Sequence, residues 1–120
     1  DAMEQAGLMD EGFFFYWEDV DFSWRLRKAG WKLAVAANAS VYHKFSNTVG
    51  SQSLKSDLFR AASLTRYFRK HKKTWFFPVT VNISGMLVNR VLRGQFNRLG
   101  PIIKETWQSI SNPFASRPVS

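Results

Sequence analysis

The residues whose types and spacing could do chemistry are an acidic string at residues 17–21 (Trp-Glu-Asp-Val-Asp) and a histidine, His43, which lies 24 residues beyond Asp19. The chain has no cysteine, so His, Asp and Glu are its only strong metal ligands. A helix that begins at Glu18 and a strand that returns antiparallel to it would bring Asp19 close to His43. The pattern therefore predicts one shared polar site. The alternatives are a favourable acidic helix start and a structural histidine.

The elements that would position this site are predicted from residue spacing. Carboxylates at the start and Gly30 at the end indicate a helix over residues 18–29. Residues 31–37 and 40–43 read as two short strands with a turn at Asn38, and the second strand ends on His43. A loop rich in Ser, Asn, Thr and Gly follows over residues 44–56, and its length suggests a lid.

The second part of the sequence has helical spacing. Apolar residues recur from Leu54 towards Lys73, and a further apolar segment covers residues 79–92. A weaker helix with Ile102 and Trp107 follows, and the tail from residue 111 is expected to fray. His71, which lies among lysines and arginines, is predicted to sit at a solvated helix end.

Charge divides the chain into two parts. The net charge is +8, but residues 1–54 carry five Lys/Arg against seven Asp/Glu, whereas residues 55–120 carry twelve against two. An acidic first part suits a site that handles cations, and a basic second part suits an anionic neighbour, although net charge also serves solubility. Nucleic acid is not expected as a partner, because no recognised motif is present and the acidic part would repel phosphate.

Several motifs, taken in order, resemble one enzyme family. They are residues 7–11 (Gly-Leu-Met-Asp-Glu), the aromatic pair at 14–15, the string at 16–21, Arg25, Gly30 and residues 39–43 (Ala-Ser-Val-Tyr-His). Together they resemble the second half of a family 2 glycosyltransferase of GT-A fold, in the branch of bacterial rhamnosyltransferases. The resemblance covers roughly residues 7–73.

The resemblance implies an α+β, mostly helical fold: the C-terminal half of a GT-A α/β domain, with a helix and two short strands, followed by two or three amphipathic helices. The expected divisions are residues 1–54 for the catalytic part, 55–110 for a basic helical extension and 111–120 for a frayed tail. The nucleotide-binding half, with the Asp-x-Asp metal motif that follows a strand in that half, does not occur in the chain. The 120-residue chain alone is therefore expected to be inactive.

The resemblance also implies roles for single residues. Asp19 matches the general base that takes a proton from the acceptor hydroxyl, and Glu18 is expected to support it or touch the acceptor. His43 matches a ligand of the divalent cation, Mn²⁺ or Mg²⁺, that the intact parent would hold on the diphosphate. Trp17, Asp21 and Arg25 are candidates for substrate binding, with a structural Asp21–Arg25 pair as the alternative.

The function implied is transfer of a sugar, hexosyl or rhamnosyl, from a nucleotide sugar to a hydroxyl of a glycan or lipid-linked acceptor. The transfer is expected to be inverting and metal-dependent, within polysaccharide biosynthesis of the cell envelope. The expected location is the cytoplasm, with the inner face of the plasma membrane as an option. The alternative is a non-catalytic helical module for dimerisation or membrane docking. Homo-oligomers or an altered helix packing are expected, because apolar surface that would face the missing half is otherwise exposed.

Overall fold

The computed structural model describes residues 1–42 and 53–112, and helices dominate both ranges. The helices and their bounds are α1 (Ala2–Ala6), α2 (Glu18–Lys28), α3 (Leu54–His71), α4 (Phe76–Leu92) and α5 (Leu99–Ser111). A single 3-10 turn, Phe96–Arg98, joins α4 to α5. The helices predicted near residues 18–29 and 54–73 are confirmed, and so are the helical segments that follow them.

The ends of α2 and α3 follow from local chemistry. Three carboxylates lie in the first turn of α2 and three cations in its last turn, an order that complements the helix dipole. Gly30 then takes a positive φ of 91°, a conformation that glycine adopts without steric cost. At the start of α3, the Ser53 hydroxyl accepts a hydrogen bond from the backbone N–H of Ser56 at 3.1 Å, which satisfies one of the free amides of the first turn.

The hydrophobic core lies where α3 meets α4 and α5. Its fully or nearly fully buried members are Ala61 and Leu64 of α3, Val79 and Ile83 of α4, and Ile102 of α5. Trp17, from the segment before α2, packs against the same core. Helix α3 therefore contacts α4 and α5 as well as the segment before α2, and it is the central element of the described residues.

A buried ion pair fixes α4 to the first turn of α3. Arg90 Nη2 donates to Asp57 Oδ1 at 2.6 Å, and Arg90 Nη1 donates to Gln95 Oε1 at 2.9 Å. Arg98 Nη1 reaches the other oxygen of Asp57 at 3.3 Å. Asp57 is buried, and both of its carboxylate oxygens contact a guanidinium group.

The two predicted strands are wrong within the described residues. Residues 31–42 contain no strand in the part of the chain that the structure describes, and the α+β class with half of a GT-A domain is replaced there by an all-helical arrangement. Val35, Val41 and Tyr42 are almost completely exposed. Two short strands form a stable hairpin only when one face packs on a core or on further strands. In the described ranges, residues 31–42 are exposed and no such surface lies against them.

The predicted division at residue 54 coincides with the first residue of α3, and the assignment of 1–54, 55–110 and 111–120 to separate units stays a prediction. His43 and most of the predicted lid, with residues 113–120 of the tail, lie outside the described residues. None of the helices in the two described ranges combines the length and the apolar character that crossing a membrane requires.

Candidate functional site

Two consecutive residues before α2 adopt left-handed backbone conformations. Tyr16 has a φ of 66° and Trp17 a φ of 68°. For residues with a Cβ this region costs roughly 1–2 kcal/mol each, and such strain persists only where the surroundings impose it, often at functional sites. Trp17 is also the residue that directly precedes the first turn of α2. The backbone conformation of Tyr16 and Trp17 therefore sets the direction of the first turn of α2, which carries the Glu18 and Asp19 side chains.

Contacts from α3 impose this conformation. The Tyr16 hydroxyl lies 3.0 Å from the Ser56 hydroxyl, within hydrogen-bond distance, and the Arg60 guanidinium lies 5.3 Å from the centre of the Tyr16 ring. The Trp17 ring packs at 5.0 Å from Tyr67 and 5.6 Å from Phe68, measured between ring centres. Aromatic pairs at such distances contribute about 0.5–1.5 kcal/mol beyond burial, so together they offset the backbone strain.

Asp19 and Glu18 differ in their surroundings. Asp19 is exposed, and its Oδ1 accepts a hydrogen bond at 2.8 Å from the neighbouring Val20 backbone N–H. Glu18 is half-buried, and its Oε2 is enclosed without a hydrogen-bond partner within the described residues. Asp19 is thus a carboxylate that an outside molecule can reach, and Glu18 holds an oxygen whose hydrogen-bonding capacity is unused.

Asp21 lies on α2 but faces into the protein. Its side chain is fully buried, and its oxygens contact Arg25 Nε at 2.8 Å, Lys70 Nζ at 2.9 Å and His71 Nε2 at 2.7 Å. Burial alone would raise the pKa of Asp21, but hydrogen bonds from His71, Lys70 and Arg25 together lower it below 3.8. The carboxylate is therefore ionised at neutral pH and joins the start of α2 to the end of α3.

Arg25 extends this network to the first helix. Besides Asp21, its guanidinium donates to the backbone carbonyls of Ala6, Gly7 and Leu8, the last at 2.7 Å. These carbonyls form the end of α1 and the turn after it. All described polar contacts of Arg25 are thus internal, which agrees with the structural alternative for Asp21 and Arg25. The substrate-binding role of this pair stays a prediction.

Asp10 forms a second acidic contact with α3. Its oxygens lie 3.0 Å from Arg66 Nη2 and 2.7 Å from Lys70 Nζ, and it accepts from the Gly12 backbone N–H at 2.8 Å. Burial opposes ionisation of Asp10, but the hydrogen bonds from Lys70 and Gly12 and the charges of Arg66 and Lys70 lower its pKa to about 2. Lys70 thus bridges Asp10 and Asp21.

His71 was predicted to lie at a solvated helix end. It is the last residue of α3, but the prediction of solvation is wrong. Only 9% of its side chain is exposed, and its ring packs 5.0 Å from Tyr67 and 5.8 Å from Trp24. The available signal was charge: an excess of carboxylates in residues 1–54 and of cations in residues 55–120 indicates pairs between the two parts. The charge distribution predicts that carboxylates of the first part pair with cations of the second part, but it does not predict which residues form each pair.

The predicted metal ligand, His43, lies outside the described residues, and so does its proposed approach to Asp19. Within residues 1–42 and 53–112, no three side chains of His, Asp or Glu converge on a position suited to a metal ion. These ranges do not supply a complete cation site by themselves.

The sequence is similar to that of a curated rhamnosyltransferase, a glycosyltransferase. The relative is N-acetylglucosaminyl-diphospho-decaprenol L-rhamnosyltransferase from two strains of Mycobacterium tuberculosis, 34% identical over 91 residues, which cover 74% of this chain. The chain spans 29% of the length of these relatives. No protein-family profile matches the chain, and no solved structure matches it.

Proposed function

We propose that the chain is part of a longer glycosyltransferase, in which it carries the carboxylate that activates the acceptor hydroxyl. The similarity to a rhamnosyltransferase supports the class of reaction. The observation that carries the assignment to a site is the strained Tyr16–Trp17 pair, held by α3, from which exposed Asp19 follows at the start of α2.

Asp19 is proposed as the general base. As the acceptor oxygen bonds to the anomeric carbon, its proton passes to the Asp19 carboxylate, and the electron pair of the breaking carbon–oxygen bond leaves with the nucleoside diphosphate. A positioned carboxylate suffices because the hydroxyl becomes acidic only as bonding develops. A single displacement of this kind inverts the anomeric centre.

Glu18 and Trp17 are proposed to act beside Asp19. The enclosed Glu18 oxygen is available to accept a hydrogen bond from a bound hydroxyl. Trp17 is half-buried against Tyr67 and Phe68, so its ring is fixed before a sugar arrives, and a fixed aromatic face loses little freedom on binding. In this proposal Asp21 and Arg25 contribute to substrate binding indirectly, by fixing the start of α2.

Dependence on Mn²⁺ or Mg²⁺ is part of the proposal, with His43 as one ligand. A bound cation would neutralise charge on the leaving diphosphate. The described residues hold no complete ligand set, so no step here is assigned to the cation. Its remaining ligands would come from the rest of the longer protein.

The proposed substrates are a nucleotide-activated sugar and a hydroxyl of a glycan on a lipid carrier, because the relative's name specifies an L-rhamnosyl group and a diphospho-decaprenol acceptor. We place the activity in the cytoplasm at the inner face of the membrane, where such an acceptor would be reached. Since the chain spans only 29% of its relatives, we expect the 120 residues alone to show no transfer. The similarity to an enzyme favours this function over the purely non-catalytic module.

The test is Asp19→Asn in the full-length natural protein that contains this chain. Loss of a general base lowers the rate roughly 10²–10⁴-fold, so we expect kcat for rhamnosyl transfer to fall within that range. Asp19 has only a local contact with Val20, so the unfolding free energy should change by less than about 0.5 kcal/mol.

The matched control is Glu11→Gln, which also neutralises an exposed carboxylate but lies outside the proposed site. Its kcat should stay within twofold of the unmodified protein. Retention of more than half of the activity by Asp19→Asn would remove Asp19 as the base.

A further inference from the structure

One face of α3 lies along the segment that leads into α2. The members of this face are spaced four, three and four residues apart, which places their side chains on one side of the helix: Ser56, Arg60, Ser63 and Tyr67. They contact three consecutive residues of the segment, namely Phe15, Tyr16 and Trp17. Every residue of the short stretch directly before Glu18 and Asp19 is therefore held by α3.

Two serine hydroxyls hold Tyr16 from the two sides of the bond about which its φ is measured. Ser63 is 5% exposed, and its hydroxyl donates to the Phe15 carbonyl at 2.8 Å. This carbonyl belongs to the planar peptide group on the amino side of Tyr16, and a change in φ turns this group relative to the Tyr16 side chain. At the other end, the Tyr16 hydroxyl lies 3.0 Å from the hydroxyl of buried Ser56. Together the two contacts fix the φ of 66° at Tyr16.

The hydroxyl of Ser63 differs in direction from that of a neighbouring buried residue, Thr65. A Ser or Thr hydroxyl inside a helix often donates to the carbonyl four residues earlier, and Thr65 does so with the Ala61 carbonyl at 2.8 Å. The Ser63 hydroxyl instead reaches out of its helix to the Phe15 carbonyl. Ser63 adds little apolar area to the core, so its contribution to this face is the position of one peptide group.

We propose, on the basis of the proposed function of Asp19, that Ser56 and Ser63 are positioning residues for glycosyl transfer. Their hydroxyls keep Tyr16 left-handed, and this conformation places Asp19 beside the acceptor hydroxyl. The left-handed conformation is disfavoured roughly 5- to 30-fold for a residue with a Cβ, so loss of either hydroxyl lets the segment relax. The first turn of α2 then starts in a different direction, and a displacement of about 1 Å can lower a rate roughly 100-fold.

The experiment measures kcat and the acceptor KM of Ser63→Ala in the full-length natural protein that contains this chain. We expect kcat to fall roughly 5- to 30-fold, the factor by which the left-handed conformation is disfavoured. The KM should stay within twofold, because Asp19 takes the proton only as bonding develops. The matched control is Thr65→Val, which removes a buried hydroxyl of the same helix that bonds within α3. Its kcat should stay within twofold of the unmodified protein.

A double-mutant cycle with Asp19→Asn separates positioning from a general loss of stability. If Ser63 acts through Asp19, Ser63→Ala should change kcat by less than twofold in a protein that already carries Asp19→Asn. Equal fold losses in the two backgrounds would overturn the proposal. An unchanged kcat in Ser63→Ala would overturn it as well, and so would an equal loss in Thr65→Val.

Tyr16→Phe is a second variant, which removes the hydroxyl that meets Ser56 and keeps the ring. Its kcat should fall in the same range, and it decides the outcome if circular dichroism shows that Ser63→Ala does not fold. If Asp19→Asn keeps more than half of the activity, the proposed function fails and the positioning role fails with it. If Asp19→Asn is impaired while Ser63→Ala and Tyr16→Phe are fully active, only the positioning role fails.

Discussion

At the scale of residues, Asp19 and Asp21 of α2 lie within one helical turn but in different surroundings. Asp19 faces outward with one local hydrogen bond, whereas Asp21 is fully buried among Arg25, Lys70 and His71. A buried carboxylate is stabilised only while its cationic partners remain in place. The face of the helix thus decides the difference: Asp19 is open to solvent, and Asp21 pairs with groups inside the protein.

Asp21→Asn should destabilise the protein by about 3 kcal/mol, because removal of one partner leaves the other charges unpaired in a buried setting. Urea unfolding at pH 7 measures the difference. The control is Asp19→Asn on the same helix, which should change the unfolding free energy by less than about 0.5 kcal/mol. Similar losses in both variants would mean that Asp21 does not hold the network together.

The sequence identified Asp19 and Glu18 as candidates, and the pairing of Asp21 with Arg25, four residues later, was also within its reach because helical spacing determines that contact. The pairing of Asp21 with His71 was not. That contact joins residues fifty positions apart, and it follows from the position of the end of α3 beside α2 rather than from any local pattern. The left-handed conformations of Tyr16 and Trp17 were likewise missed, since neither residue type favours positive φ.

At the scale of elements, the predicted helices are confirmed and the two predicted strands are wrong within the described residues. The helix from Glu18 and the helix from Leu54 begin at their predicted residues, because acidic first turns and apolar spacing act locally. Residues 31–37 have the composition of a strand, but β-propensity describes a fit to a half-buried surface. Leu33 and Val35 are exposed and have no such surface in the part of the chain that the structure describes, so composition alone gives no strand.

Arg90→Gln should destabilise the packing of α4 on α3 by about 3 kcal/mol, because it leaves the buried Asp57 carboxylate with Arg98 alone, at 3.3 Å. Thermal and urea unfolding both report the change. Lys104→Gln removes an exposed positive charge from α5 and serves as the control, with an expected effect below about 0.5 kcal/mol. If the two variants are equally stable, the Asp57–Arg90 pair contributes nothing net to the fold.

At the scale of the whole molecule, the two charged parts of the sequence are joined through α3. Its cations Arg66 and Lys70 contact carboxylates from before α2 and within it. The charge difference seen in the sequence is therefore a source of internal pairs as well as of surface potential. When the pKa of a carboxylate is lower in the folded protein than in the unfolded chain, the free energy of unfolding depends on pH.

The protein should lose stability as the pH falls from about 4 towards 2. The pKa of Asp10 is lowered from 3.8 to about 2 in the folded protein, and that of Asp21 is also lowered. A lowered folded-state pKa adds stability that is fully present well above pH 4 and disappears as the carboxylate is protonated. Asp10 alone should account for about 2 kcal/mol.

Urea unfolding between pH 7 and pH 2 checks this expectation. In Asp10→Asn, the unfolding free energy at pH 7 should be lower by about 2 kcal/mol, and its fall between pH 4 and pH 2 should be shallower than in the unmodified chain. Parallel curves for the two proteins would show that Asp10 has the same pKa folded and unfolded.

The position of α3 in the chain has a consequence for synthesis. The carboxylates of Asp10 and Asp21 are made before Arg66, Lys70 and His71, their contact partners at the end of α3. A nascent chain that has reached only residue 60 already has Arg25 beside Asp21, but it lacks the partners of Asp10 and Asp21 that α3 supplies. Since domains generally fold as units, we expect α1 and α2 to reach their packed positions only after the last turn of α3 has been made.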